Sequence, residues 1–308
     1  MNALRRFTTA VLVAALAAHL AGCGPPGGPP EGTGPELNVF VSIPPQAYLA
    51  GRVGGERVEV HTLLEPGDNP HTFDPTPRQV SMLGAADLYF TVGIGLERRL
   101  VERASHAGGP RVVDACRGID RRTMSEPLGR GDSAQGHGGM KDPHTWLNPL
   151  LAARQAENIC GALKEADPGG GETYERNLAA LRHELEELDA DLKKVLEPVR
   201  GRQMYVFHPA FGYFADRYGL RQVPIQMGGA APGARHLSRL IEAARAENVK
   251  AIFVQPQYSR QDAWAVARGV GAEVVPLDPL AENYVRNLKV LARRVRLALT
   301  QGQHVDAR

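Results

Sequence analysis

The sequence predicts an α/β fold: two βα lobes with mostly parallel sheets, joined by one long rigid helix, with a metal site in the cleft between the lobes. Three observations predict it. Short β-type runs alternate with helical stretches over residues 38–116, and the alternation resumes after Pro198, which is the pattern of βαβ units around a parallel sheet. Residues 172–197 form the longest unbroken helical pattern. Residues suited to metal binding stand at or near predicted strand ends in both halves, where open α/β sheets gather their ligands.

The chain of 308 residues opens on a secretion signal. Arg5 and Arg6 form the charged start, and residues 8–20 form an apolar stretch interrupted only by His19. That stretch is too short for a comfortable membrane span. Leu20-Ala21-Gly22-Cys23 follows and matches a bacterial lipobox, which makes Cys23 the expected lipidation site; an ordinary signal with a chance cysteine is the alternative. Residues 1–22 are read as signal peptide and 23–36 as a Gly/Pro-rich tether that cannot form a core. Cleavage before Cys23 leaves 34 basic and 34 acidic residues, formally neutral. Nothing in that balance points to nucleic acid. The expected product is an extracytoplasmic lipoprotein, in the periplasm or at the cell surface, held to the bilayer by its lipid.

In the N-terminal lobe, residues 37–170, the β-type runs are 38–43, 58–64, 87–93 and 111–116. Helical stretches at 46–53, 77–86 and 97–106 separate them. Residues 117–143 are polar and glycine-rich and read as a surface loop. Pro149 then opens a helix to about Ala166, at an early position where its missing N–H costs little. The linking helix, 171–198, carries Tyr174, Leu178, Leu181, Leu185, Leu188, Leu192 and Val195 at alternating spacings of four and three, a heptad-like seam. In the C-terminal lobe, 199–308, strands are expected at 202–207, 222–226, 251–255 and 273–277. Helices are expected at 211–218, 234–247, 260–270 and 283–299.

Four candidate ligands are each joined to a proline: Pro70-His71, Pro143-His144, His208-Pro209 and Asp278-Pro279. Three imidazoles and one carboxylate complete a tetrahedral set for Zn(II). Proline restricts the backbone at and before its own position, so these loops lose less entropy on ordering around an ion. Each residue also has an ordinary reading, as a surface histidine or a turn-forming aspartate. Trp146 and Tyr213 read as packing residues. His61, His106, His183, His236 and His304 read as structural or solvent-facing, and His137 as a bystander in the glycine-rich loop. Cys116 and Cys160 form an even pair in an oxidising compartment. A disulfide between them and two separate buried thiols are both open, since spacing does not decide.

Around these ligands the chain resembles the metal-binding lipoproteins of bacterial zinc/manganese ABC transporters. The resemblance rests on residues 67–77 (GDNPHTFDPTP), 142–149 (DPHTWLNP), 208–214 (HPAFGYF) and 275–280 (VPLDPL). It implies two lobes braced by a helix and a buried interlobe metal held by His71, His144, His208 and Asp278. It also implies capture of Zn(II) and its delivery to an ABC permease in the inner or cytoplasmic membrane by a monomer that is not an enzyme. Manganese-selective relatives tend to carry a carboxylate at the position of His208, and three nitrogens with one oxygen favour zinc over harder ions. Two departures stand out. The loop before the second motif holds only His137 among its glycines, where zinc relatives often carry a His-rich acidic loop. Gln255-Pro256-Gln257 stands where the family often has Glu-Pro-Gln. The rival readings are the same role for Mn(II) or Fe(II), a secreted zinc hydrolase, and a metal-stabilised adhesin. A catalytic zinc keeps an open coordination position, and the chain contains no His-Glu-x-x-His or Gly-x-Ser-x-Gly motif.

Overall fold

The computed structural model describes residues 35–105, 108–125, 140–225, 234–258 and 260–301. Expectations placed on the signal peptide, Cys23, His106, His137 and His304 lie outside the described residues, as does the side chain of His236.

Two four-stranded sheets of the same design form the frame. The first contains β1 (Leu37–Val41), β2 (Val58–Thr62), β3 (Leu88–Thr91) and β4 (Arg111–Asp114), in the order β2-β1-β3-β4. The second contains β5 (Gln203–Val206), β6 (Arg221–Pro224), β7 (Ala251–Val254) and β8 (Glu273–Pro276), in the order β6-β5-β7-β8. Every strand pairing within them is parallel, with Val39 opposite Leu88 and Val206 opposite Phe253 at the two centres. Central strands covered on both faces read as near-continuous hydrophobic runs, and β3 and β7 are buried throughout.

The helices start where the sequence supplies the local chemistry. α1 (Pro44–Gly54) begins on prolines, which are tolerated in a first turn. α2 (Pro77–Gly84) begins with a capping box in which Thr76 and Gln79 satisfy each other's backbone N–H. α3 (Gly95–Ser105) follows β3. α4 (Pro149–Ala166) is capped by the Asn148 side chain, which accepts from Leu150 N. α6 (Gly212–Tyr218), α7 (Ala234–Ala246), α8 (Arg260–Val270) and α9 (Tyr284–Gln301) complete the second half.

Between the halves runs α5 (Gly171–Leu196), 26 residues long, which spans about 39 Å. Its seam is buried at Tyr174, Leu181, Leu185, Leu188 and Leu192, and Leu196 extends it. Asp189, also buried, takes both nitrogens of the Arg217 fork from α6, at 2.8 and 2.5 Å. One hydrophobic core runs without a break from the first sheet through α4 and α5 to Phe211, Phe214 and the inner face of α9. A second, smaller core lies behind the second sheet and includes Tyr205, Phe207, Ile225, Leu240, Val254 and Val266. No described helix is long and apolar enough to cross a membrane.

Of the two alternatives left open for Cys116 and Cys160, the structure has the separate buried thiols: both are free. Cys116 lies just past β4, 3.3 Å from Thr145 Oγ1. Asn158 of α4 turns toward that segment and donates to Ala115 O and Arg117 O. Cys160, two residues on, is rotated about 200° around the helix and feels Lys164 and Glu175 instead. Burial raises the pKa of both thiols, which keeps them protonated and unreactive.

Candidate metal centre

Each half has a strand order that reverses direction at its centre, between β1 and β3 and between β5 and β7. Such switch points open a crevice at the carboxyl ends of the strands. A cavity of about 360 Å³ lies there, lined from the first half by His71, Gly93, Ile94, His144 and Trp146. From the second half it is lined by His208, Gln255, Gln257, Tyr258 and Leu280.

His71 is presented by a tight loop after β2. Gly67 takes φ +96°, a conformation suited to glycine. Asn69 Oδ1 accepts from His71 N at 2.9 Å, and Asn69 O accepts from Thr72 N and Phe73 N. The residue as a whole is exposed, but its ring tip faces inward and reaches His208, Nε2 to Nε2, at 3.4 Å. Desolvation of that tip and the nearby His144 lower its pKa.

His144 is held by the fully buried Asp142, whose Oδ1 accepts from His144 N at 3.0 Å and pairs with ring Nδ1 at 2.7 Å. With Nδ1 donating to this carboxylate, Nε2 is left as the lone-pair nitrogen, the arrangement common behind metal-bound histidines. His208 lies two residues past the end of β5 and is 4 % exposed. Its ring lies edge-on to His71 and His144, with centroids at 4.9 and 5.6 Å, and stacks on Tyr258 at 4.8 Å. Burial, then the two neighbouring imidazoles, push its pKa well down. Its Nδ1 has no hydrogen-bond partner among the described residues.

Asp278 stands at the end of β8, in the same region but turned aside. Its Oδ1 accepts from Gln257 Nε2 at 2.7 Å and from Leu280 N at 2.9 Å. The structure thus brings the three imidazoles together and leaves the carboxylate engaged with Gln257 and Leu280, outside the cavity lining. Among the described residues, no group of three or more His, Cys, Asp or Glu side chains stands at metal-holding spacing as the rotamers lie. Two of the other histidines are far from this chemistry: His61 packs its ring 5.5 Å from Phe40, and His183 is exposed on α5.

Sequence reasoning did not assign the contacts that hold the candidate ligands. Trp146, read as packing, also donates from Nε1 to Pro279 O at 2.8 Å, joining the His144 turn to the Asp278 turn. Gln255 grips the His208 peptide from both sides, accepting from its N at 3.3 Å and donating to its O at 2.6 Å. A glutamate at 255 could accept but not donate, so the Gln in Gln255-Pro256-Gln257 gives His208 a backbone clamp. The sequence signal for Asp142 was its place two residues before a histidine, where an aspartate closes a turn on itself.

The pattern of one protein family, described as zinc-uptake complex component A, periplasmic, matches residues 39–297. The chain belongs to this family. The high-affinity zinc uptake system protein ZnuA of Bacillus subtilis is 28% identical over 284 residues, covering 90% of this chain and 89% of that one. A crystal structure of a ZnuA deletion mutant with zinc bound superposes with a TM-score of 0.76 at 37% identity, covering 85% of this chain and 97% of the other. The laminin-binding protein Lmb of Streptococcus agalactiae, described as bifunctional with adhesin and metal-transporting activity, superposes at 0.73 and 26% identity, covering 85% and 99%. The family is one of periplasmic solute-binding components of metal uptake systems, and the two-lobed fold found here is the fold of these relatives.

Proposed function

We propose that this chain captures Zn(II) outside the cytoplasm and hands it to the membrane permease of an ABC transporter. We propose His71, His144, His208 and Asp278 as its ligands and the Cys23 lipid as its membrane tether. The convergence of three imidazoles from both halves on one cleft carries the reading. His71 and His208, with lowered pKa values, are neutral at pH 7, the form a metal requires. Zinc draws the rotamers inward, with Asp278 leaving Gln257 to supply the fourth donor. A closed shell of four protein ligands leaves no position for an activated water, which favours carriage over hydrolysis.

The test is metal content and competition binding on the soluble chain beginning near Glu36, with His208→Glu alongside. One tightly held Zn(II) per chain is expected, displaced poorly by Mn(II) and held more weakly by the variant. Preferential Mn(II) binding, or a variant equal to the parent, would overturn the assignment of His208 and the choice of zinc.

A further inference from the structure

We propose that Arg122 is a positioning residue for metal binding: it clamps the Asp142–His144 pair against α6 and so aims the His144 ring into the cleft. This rests on the zinc reading above and deepens it. Arg122 lies outside all four ligand motifs, before the second of them in sequence.

Three contacts make the clamp. Arg122 Nη1 pairs with Asp142 Oδ2 at 3.3 Å, on the carboxylate oxygen that His144 does not use. Its Nε pairs with Asp216 Oδ2 of α6 at 2.9 Å. Its backbone N donates to the Tyr213 hydroxyl at 3.0 Å, and that hydroxyl donates to Asp142 O at 3.0 Å. One guanidinium therefore links the carboxylate that orients a ligand in the first half to a helix of the second. Asp142 is fully buried, and a buried carboxylate without a cation is costly. Without Arg122, the Asp142 carboxylate loses the partner on its second oxygen and its tie to α6, and its hold on His144 Nδ1 loosens.

Gly212 shows how closely the clamp is built. A Cβ there would lie 1.6 Å from Arg122 Nη1 and 2.8 Å from Asp142 Oδ2. The glycine of the 208–214 motif is thus the gap through which Arg122 reaches Asp142. Lysine cannot replace it, because a single ammonium cannot meet Asp142 and Asp216 in the fixed geometry of the guanidinium fork.

The experiment compares Arg122→Gln, Arg122→Lys and Gly212→Ala with the parent chain. Zinc affinity is read by chelator competition, and the ring ¹⁵N signals of His144 and His208 are read on metal-free protein. Affinity is expected to fall roughly ten- to a hundredfold in all three. The His144 ring signals should move toward a mixture of tautomers while those of His208 stay in place. An Arg122→Gln chain that keeps the parent's zinc affinity and His144 signals would overturn the proposal. So would a loss of affinity with the His144 signals unchanged, the mark of a merely structural arginine. If Arg122→Gln does not fold, Arg122→Lys decides by the same two readouts, since it keeps the charge and loses the fork that meets Asp142 and Asp216. The ring signals need no metal, so a parent that bound no zinc would sink the zinc reading and leave this test standing.

Discussion

His71 and His208 illustrate how burial and company set a side chain's state. His208 is enclosed and flanked by two other imidazoles, so a proton on it would be both desolvated and repelled. The unfolded chain takes up that proton near pH 6.5. The stability associated with a neutral His208 is therefore full above that pH, and is lost as pH falls through it toward the depressed folded value. Glu97 runs the other way. It accepts from Val92 N, Gly93 N and Ile94 N, yet burial pushes its pKa up to about 7, so its ionisation costs stability as pH rises toward that value. A difference measurement separates them. The melting temperature of metal-free His208→Asn, minus that of the parent, should move in the variant's favour between about pH 7.5 and 5.5. A constant difference would show that His208 titrates like any exposed histidine. The ligand candidates were legible as types beside prolines. Asp142 and Gln255 were visible as a residue near a histidine and a departure from a motif, but their contacts and the whole role of Arg122 were not, because an orienting contact is a matter of distance in three dimensions.

At the scale of elements, periodicity carried almost all of the fold. The fours and threes of Leu181, Leu185, Leu188 and Leu192 placed a single apolar stripe on one helix, and each of these residues is buried in the structure. Leu185 sits in the core shared by both halves. Its truncation to alanine should cost about 2–5 kcal/mol, the range for a buried leucine whose cavity closes only in part, readable as a lower denaturant midpoint. A loss under about 1 kcal/mol would mean that α5 repacks freely and is no brace. The same periodicity was silent on Asp189, a buried charge in the apolar stripe of α5, because its justification is Arg217 on another helix. It was equally silent on the cysteines, whose pairing depends on which face of α4 meets β4.

For the whole molecule, the repeated strand order places both switch points on one cleft, and the continuous core ties the halves together behind it. An unbroken helix within such a core makes a poor hinge. Metal-free and zinc-loaded chains should therefore give nearly the same radius of gyration by X-ray scattering, with loading expressed in rotamers and loops. A change on the scale of a domain closure would refute this.

The smaller core behind the second sheet bears on how cargo leaves. Phe207 and Val254 belong to it, and they are the immediate neighbours of His208 and of the Gln255 that grips it. Met204, Val206 and Phe253 of the same strands face the shared core instead, so the strands that carry His208 and Gln255 are packed on both faces. Cargo is thus expected to leave by movement of side chains and loops at the cleft, with both faces of the second sheet staying packed.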